Sequence, residues 1–311
     1  MSTQVETTQQ PPVTPVRSGK RIAWDRRRRA LARFWQQYRK DRNGMIGLAI
    51  LVLMIAVALA APLLASSRGL NPIYATATPN AGPSWHYPLG TDGDGRSVLT
   101  ELIWGSRISL LIGLSATLLS MVIGALIGIV AGHFGKLIGN LLMRFTDWFL
   151  VIPFLPLAIV LATTLGKSLG VIIVVIGITS WPGTARIIRA QALAVETRPY
   201  LERARALGAG HWHQMTKHVL PNVMPLLLAN TILTVAGTIL AETTLSFLGL
   251  GDPTRASWGQ MLNEGFSTGG MLAGNQLWLI APGVAVIAVV MAFTMVGHAL
   301  EAILDPKLRE R

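Results

Sequence analysis

The chain has six histidines, fifteen acids and no cysteine, and few of these stand at spacings that chemistry could use. His211, His213 and His218 are close enough to suggest a transition-metal site. The i, i+2 pair points to different helix faces, and no carboxylate follows in the second half of that stretch, so helix-surface histidines are the better reading. Asp92-Gly93-Asp94-Gly95 resembles the start of a calcium loop, but Arg96 stands at the third ligand position and no Glu at the twelfth. Turn chemistry accounts for it better. Gly166-Lys167-Ser168 has the ending of a phosphate-binding loop, yet the glycine required five positions before Gly166 is Leu161. Asp147, Glu242 and Glu301 lie in or beside long apolar runs, where a charge at mid-bilayer costs about 2.5–3.5 kcal/mol or more. Asp147 follows Arg144 by three residues, so an interfacial ion pair between them is expected. Glu242 belongs near the outer end of its run and Glu301 at the inner edge of the last. No paired acids, Ser/His or His/Glu constellation stands within the apolar runs, and there is no thiol nucleophile. The chain therefore reads as a non-enzyme that holds no cofactor, nucleotide or metal of its own.

The elements that position these residues are apolar. Of 311 residues, 51% are hydrophobic and 14% charged, and the mean hydropathy is +0.49. That is too apolar for an ordinary soluble domain and fits an all-α membrane protein with several spans. Met45 to Ala65 is an uninterrupted apolar run; its length, roughly 30 Å as a helix, matches a hydrocarbon core. Further runs recur at about 108–131, 145–165, 169–190, 223–248 and 277–300, which makes six. Residues 1–44 form a basic tail, polar at first and then amphipathic around Arg26–Arg29, Leu31, Phe34, Trp35 and Tyr38. The stretch can lie on a membrane surface, and the simpler reading is a stop signal that keeps the N-terminus in the cytoplasm. With the first apolar run starting only at Met45, it reads as a retained anchor, not a cleaved signal. Residues 66–105 are rich in Pro, Gly and Asp and form an outer loop, leaving 106–311 as a five-helix core.

Basic residues orient the chain. With the N-terminus inside, segments 1–44, 132–144, 186–221 and the tail after 300 hold 22 of the 27 Lys and Arg residues. This gives an N-in, C-in topology. It also explains the net charge of +12 as membrane orientation, not nucleic-acid binding. Within the spans, Gly113, Gly124, Gly128 and Gly132 give one helix a flat face for close packing, internal or with a second chain. Pro153, Pro156, Pro182 and Pro225 can kink their spans and free carbonyls near a pathway.

One polar stretch between two spans, within the cytoplasmic loop 193–221, is more than a turn. Thr197 can cap a first short helix, with Pro199 in its opening turn. Gly208 and Gly210 supply the left-handed or irregular backbone that stops it. A second short helix, roughly His211 to Val219, ends before Pro221. A protein that merely crosses the bilayer has no need of a helix–Gly–helix element here; a docking surface does.

Glu202, Ala204, Gly208, Leu220 and Pro221 stand at the spacing of the "EAA" loop of ABC importer permease subunits, which this stretch resembles. Arg203 replaces the family's Ala, and His218 its usual Ile. A second resemblance runs from about Asn43 to Pro306. His86-Tyr87-Pro88-Leu89-Gly90-Thr91-Asp92 through Arg96-Ser97, with Gly105-Ser106-Arg107-Ile108-Ser109-Leu110, is similar to the C-type permease of dipeptide, oligopeptide and nickel importers. Met143-Arg144-x-x-Asp147, Trp181-Pro182, Leu245-Ser246-Phe247-Leu248-Gly249-Leu250-Gly251, Ser257-Trp258-Gly259, Pro282-Gly283 and Leu304-Asp305-Pro306 continue it. Ser97 stands where Asp is usual, and Gly297-His298-Ala299-Leu300-Glu301 departs from Gly-Asp-x-Leu-Arg.

The resemblance implies the type I importer permease fold in a bacterial plasma (inner) membrane. It implies a second homologous permease, two cytosolic ATPase subunits or domains carrying ATP and Mg, an extracytoplasmic binding protein, and surrounding lipid. It makes Glu202, Arg203, Ala204, Leu207, Gly208, His218, Leu220 and Pro221 the ATPase-coupling loop. Peptides are the cargo it implies first; nickel, haem and glutathione-like substrates remain open. A gradient-driven carrier needs intramembrane acids and inverted repeats, and neither is evident.

Overall fold

The computed structural model describes residues 19–270 and 274–304. The polar segment before Gly19, Asp305, Pro306 and the basic residues of the C-terminal tail lie outside them. Helices α1 (Gly19–Tyr38) and α2 (Arg42–Leu64) come first. Asp41 caps α2 by accepting the Gly44 N–H at 2.9 Å, and the Tyr38 hydroxyl donates to the Gly44 carbonyl at 2.8 Å, fixing the angle of entry. Then follow α3 (Val98–Phe134), α4 (Lys136–Val151), α5 (Phe154–Leu165) and α6 (Leu169–Glu196). The chain closes with α7 (Pro199–Ala206), α8 (His211–Gln214), α9 (Leu220–Phe247), α10 (Trp258–Ser267) and α11 (Leu277–Leu304). Among the described residues, five helices are long and apolar enough to cross a membrane, six if the bent α4–α5 pair counts as one span.

In place of the one kinked span expected over 145–165, two helices form. The pair is bent by 86°. Pro153 has no N–H to continue the helix and disfavours helical backbone at the residue before it; Ile152 is accordingly extended, at φ −77° and ψ 122°. Gly166-Lys167-Ser168 is the connecting turn beyond α5, and Ser168 caps α6 through the Val171 N–H. The connection between α2 and α3 is also shorter than 66–105, because Ser97 accepts the Thr100 N–H and starts α3 at Val98. Asp147 does not pair with Arg144. Its carboxylate accepts from Arg186 on α6 at 2.5 Å, because packing α4 against α6 brings that guanidinium closer than its own helix neighbour.

α3 is the central post. Its 37 residues extend about 55 Å, well beyond a hydrocarbon core of about 30 Å. Pro62, Pro182, Pro225 and Pro282 lie inside α2, α6, α9 and α11, while α3 contains no proline. Its glycine face is internal. Added methyl groups would meet Thr184 Cβ at 2.8 Å from Gly124, the Ala185 carbonyl oxygen at 2.7 Å from Gly128, and Ala192 Cβ at 2.5 Å from Gly132. All three neighbours lie on α6, while Gly113 faces Ile239 of α9. Backbone cannot step aside as a flexible side chain can. Gly128→Leu should therefore destabilise the chain by about 1–3 kcal/mol, read as a lower melting midpoint of the purified protein. An unchanged midpoint would mean that α3 and α6 are not so close.

At the outer end, Asp92 is fully buried. Its Oδ1 accepts the N–H groups of Asp94 at 2.9 Å and Arg96 at 2.6 Å, an Asx-type turn. Its Oδ2 pairs with Arg96 Nε at 2.5 Å. Arg96 Nη2 also reaches Glu264 of α10 at 2.9 Å, Glu101 of α3 at 3.1 Å and Asp94 at 3.5 Å. Burial alone would lower the Arg96 pKa, but Glu101, Asp92 and Glu264 outweigh it and hold it above its ordinary value. Asp92, Glu101 and Glu264 have carboxylate oxygens within 4.8 Å of one another, and the guanidinium occupies the position a cation would take. Arg96→Ala should cost about 3 kcal/mol by leaving these acids uncompensated. The melting midpoint of the purified variant checks this; a midpoint equal to that of wild type contradicts it.

Candidate functional site

The polar loop between α6 and α9 is built by three local devices. α6 runs on to Glu196, beyond the expected loop start at 193. Thr197 ends α6 instead of capping the next helix, and its hydroxyl donates to the Ala194 carbonyl at 3.1 Å. α7 then opens on Pro199 after the extended Arg198, where proline's missing N–H is not needed. It stops at Gly208, which has φ +84°. The Ala209 N–H donates to the Ala204 carbonyl at 3.0 Å and the Gly208 N–H to the Arg205 carbonyl at 2.9 Å, the paired bonds of a Schellman stop. Gly210 is different: with φ −68° it is ordinary extended backbone ahead of α8.

Pro221 does not end the second helix. Residues Met215–Val219 form a wide π turn, and the Leu220 N–H reaches back to Met215. The backbone thereby continues from α8 into α9, with Pro221 in the opening turn of α9. The widened turn eases the clash that a proline ring makes with a preceding carbonyl in a regular helix.

The inner side of the loop is fastened to the spans. Leu201 and Val219 are fully buried, and Val219 and Val223 pack with Ile129, Ile188, Ala192 and Val195 of α3 and α6. A polar chain runs beside this cluster. His133, on the last turn of α3, lies 2.6 Å from Glu196 through Nδ1 and 2.9 Å from His211 Nδ1 through Nε2. Against an ionised Glu196 the Nδ1–H of His133 donates, so in a neutral ring Nε2 accepts from His211. Arg205 pairs with the other Glu196 oxygen and donates to Gln214 Oε1 at 3.1 Å. Gln214 in turn donates to the Ala209 carbonyl at 2.6 Å. One carboxylate thus joins the ends of α3 and α6 to α7 and, through His133, to α8.

The other side of the loop is open. Glu202, Arg203, Gly208 and Pro221 are exposed, and no ion pair engages Glu202 or Arg203 among the described residues. Leu207 is 88% exposed and Trp212 74%; two large apolar side chains in water beside two free charges mark a surface awaiting a partner. Ala204 is half-buried. His218, also half-buried, sets its ring 6.0 Å from Tyr200 and 5.7 Å from His213. Leu220 turns inward against the apolar cluster. Of the eight residues singled out by sequence, Glu202, Arg203, Leu207 and Gly208 are exposed along α7 and the stop that follows it. His218, Leu220 and Pro221 lie at the entry to α9. His133, Glu196, Arg205, Gln214 and Trp212 were not among them. Glu196 and Arg205 are nine residues apart, so a carboxylate at one helix end facing a loop arginine was the only signal available for that pair. His133 comes from 63 residues upstream of Glu196 and gives no local one.

Nothing in this arrangement places a nucleophile, a metal-ligand set or a phosphate cradle; it presents a face and holds it rigidly to two spans.

Residues 124–310 match the family model described as binding-protein-dependent transport system inner membrane component. Residues 30–83 match the N-terminal TM domain of oligopeptide transport permease C. The chain is 36% identical over 276 residues to the dipeptide transport system permease protein DppC of Bacillus subtilis, covering 88% of this chain and 85% of that protein. It is 37% identical over 278 residues to a "Putative peptide permease protein" of Brucella suis biovar 1, covering 89% and 91%. A "Putative peptide transport system permease protein" of Brucella abortus biovar 1 is 34% identical over 280 residues, covering 87% and 90%.

Proposed function

We propose a function from one premise: the chain belongs to the binding-protein-dependent transport system inner membrane component family. It is a multi-pass protein of the bacterial inner membrane and the permease subunit of an ABC importer. Peptides, as di- or oligopeptides, are its cargo; the relatives named for a cargo are named for peptides. Its partners are those of an ABC importer in general. In our reading they are a second homologous permease that completes the pathway, two cytosolic ATPase subunits or domains, and an extracytoplasmic binding protein. ATP and Mg sit on the ATPases; this chain binds no cofactor and makes or breaks no covalent bond.

The observation that carries this reading is the two-sided loop, fastened to α3 and α6 on one side and open at Leu207, Trp212, Glu202 and Arg203 on the other. An ATPase surface that grips the open side differently with and without ATP biases α3 and α6 between two arrangements. Gly208 sets the angle between α7 and α8, and the Glu196 chain carries the displacement to the spans. The arrangement of the spans decides which face of the membrane the pathway opens to.

Purification of the tagged protein from its native membrane in mild detergent, with mass spectrometry of stoichiometric partners, tests this. A second permease and a nucleotide-binding ATPase are expected. A chain that comes out alone, and carries substrate alone in liposomes without ATP, would replace this reading with a gradient-driven carrier.

A further inference from the structure

The outer end of the molecule contains a cavity of about 920 Å3, within the range of roughly 300–1,000 Å3 that small ligands occupy. Its walls are the first turns of α3, the start of α10, the turn before α10, and the short 3₁₀ turns at Ser67–Leu70 and Pro72–Tyr74. Charge is divided across it. The ion pairs described at this end converge on Arg96. Arg107 and Arg255 line the same cavity, and among the described residues no carboxylate pairs with either. Arg107 is held in place: its guanidinium lies 5.8 Å from the centre of the Trp104 ring, and the Trp104 indole N–H donates to the Ala65 carbonyl at 3.1 Å. On the acidic side, Glu101 is 1% exposed. Its Oε1 meets Arg96, while its Oε2 is buried with no hydrogen-bond partner. A buried carboxylate oxygen left unmatched is costly and calls for a donor.

The cavity therefore offers two guanidinium groups outside any ion pair among the described residues, Arg107 against Trp104 and Arg255 in the field of Asp252, across from the carboxylates of Glu101 and Glu264. An anion alone would leave Glu101 unmatched, and a cation alone would leave both arginines unmatched. A short chain with an ammonium at one end and a carboxylate at the other satisfies both.

We propose that this cavity is a staging site on the extracytoplasmic face for a short peptide with free termini, its carboxylate taken by Arg107 and Arg255 and its ammonium by Glu101 with Glu264. The inference rests on the peptide reading given above and adds a binding step on the permease itself, before the membrane is crossed.

The test uses the assembled complex in lipid nanodiscs, without nucleotide or binding protein, and three radiolabelled probes: dialanine, its C-terminal amide and its N-acetyl form. Dialanine should bind at one site per copy of this chain, and each capped form about tenfold or more weaker, because each loses a charge-assisted contact. The double variant Arg107→Gln, Arg255→Gln should bind dialanine no better than wild type binds the amide. Arg107→Lys with Arg255→Lys should restore most of the affinity. Unchanged melting midpoint and subunit ratio in the variants exclude misfolding as the cause. Equal binding of dialanine and its amide, or undiminished binding by the Gln variant, would overturn the proposal. So would a Gln variant that keeps dialanine but loses affinity for the peptide-free binding protein, which would assign the arginines to that partner. Uptake into proteoliposomes with ATP and binding protein separates this inference from its premise. Peptide uptake by wild type without dialanine binding at the cavity removes only the staging site, whereas no uptake of any peptide removes both.

Discussion

Gly208→Pro should abolish uptake while leaving the protein in the membrane at its normal level. Gly208 has φ +84°, and proline is locked near −65°, so the chain cannot leave α7 in the same direction. The substitution also removes the N–H that Gly208 gives to the Arg205 carbonyl. A misfit of about 3 kcal/mol or more reduces the native loop geometry by about a hundredfold. The loop lies outside the spans and makes none of the α3–α6 contacts, so insertion should survive. Gly208→Asn is the informative companion, since asparagine enters left-handed backbone at modest cost; it should retain a measurable fraction of uptake. Membrane-fraction immunoblots, uptake and recovery of the ATPase on the tagged chain give the three readouts. Wild-type uptake by the proline variant would remove the loop from the mechanism.

The second large effect is expected at Glu196. Glu196→Ala deprives both His133 and Arg205 of their acceptor. Arg205 is partly exposed and can turn to water, but the His133 side chain is only 2% exposed and cannot. Breaking such a pair costs about 3 kcal/mol, and here it detaches α7 and α8 from the ends of α3 and α6. ATP hydrolysis should continue while uptake falls, so that more ATP is consumed for each peptide delivered. A double-mutant cycle with Arg205→Ala sharpens the point. Residues acting as one unit should show an interaction energy of about 0.5–3 kcal/mol. Strictly additive effects, with the ATP-to-peptide ratio unchanged, would mean that Glu196 only stabilises the fold.

Much of this was legible in the sequence because it depends on neighbours along the chain. The apolar runs, the excess of Lys and Arg on one side and the stop at Gly208 all follow from local composition. Gly124, Gly128 and Gly132 announced a close helix contact by their spacing, though not that α6 supplies it. The bend at Ile152 was half-visible: Pro153 was marked as a kink, but only the fold turns the kink into two helices. Two kinds of misreading remain: Ser97 and Thr197 are decided by neighbours three residues away, and Asp147 and His133 by groups from other helices. Arg186 outcompetes Arg144 for Asp147 because helix packing brings it nearer. Pro221 sits inside a continuous helical path because a π turn over Met215–Val219 makes room for it. His133 meets Glu196 and His211 although no pattern along the chain links it to them.

α3 has a mechanical consequence. It is one continuous helix of about 55 Å, without the prolines that lie inside α2, α6, α9 and α11. One end is tied through Glu101 to Arg96, and the other through His133 to Glu196. α6 packs along it from Leu119 to Gly132, next to the His133 tie, so α3 and α6 are clamped together at the end where the loop is attached. A tilt of that clamped pair by about 10° would swing the far tip, with Glu101 and Trp104, by about 7 Å. The loop and the cavity wall about 55 Å away would then share one stroke, and the gap to Arg255 would be re-gauged with it.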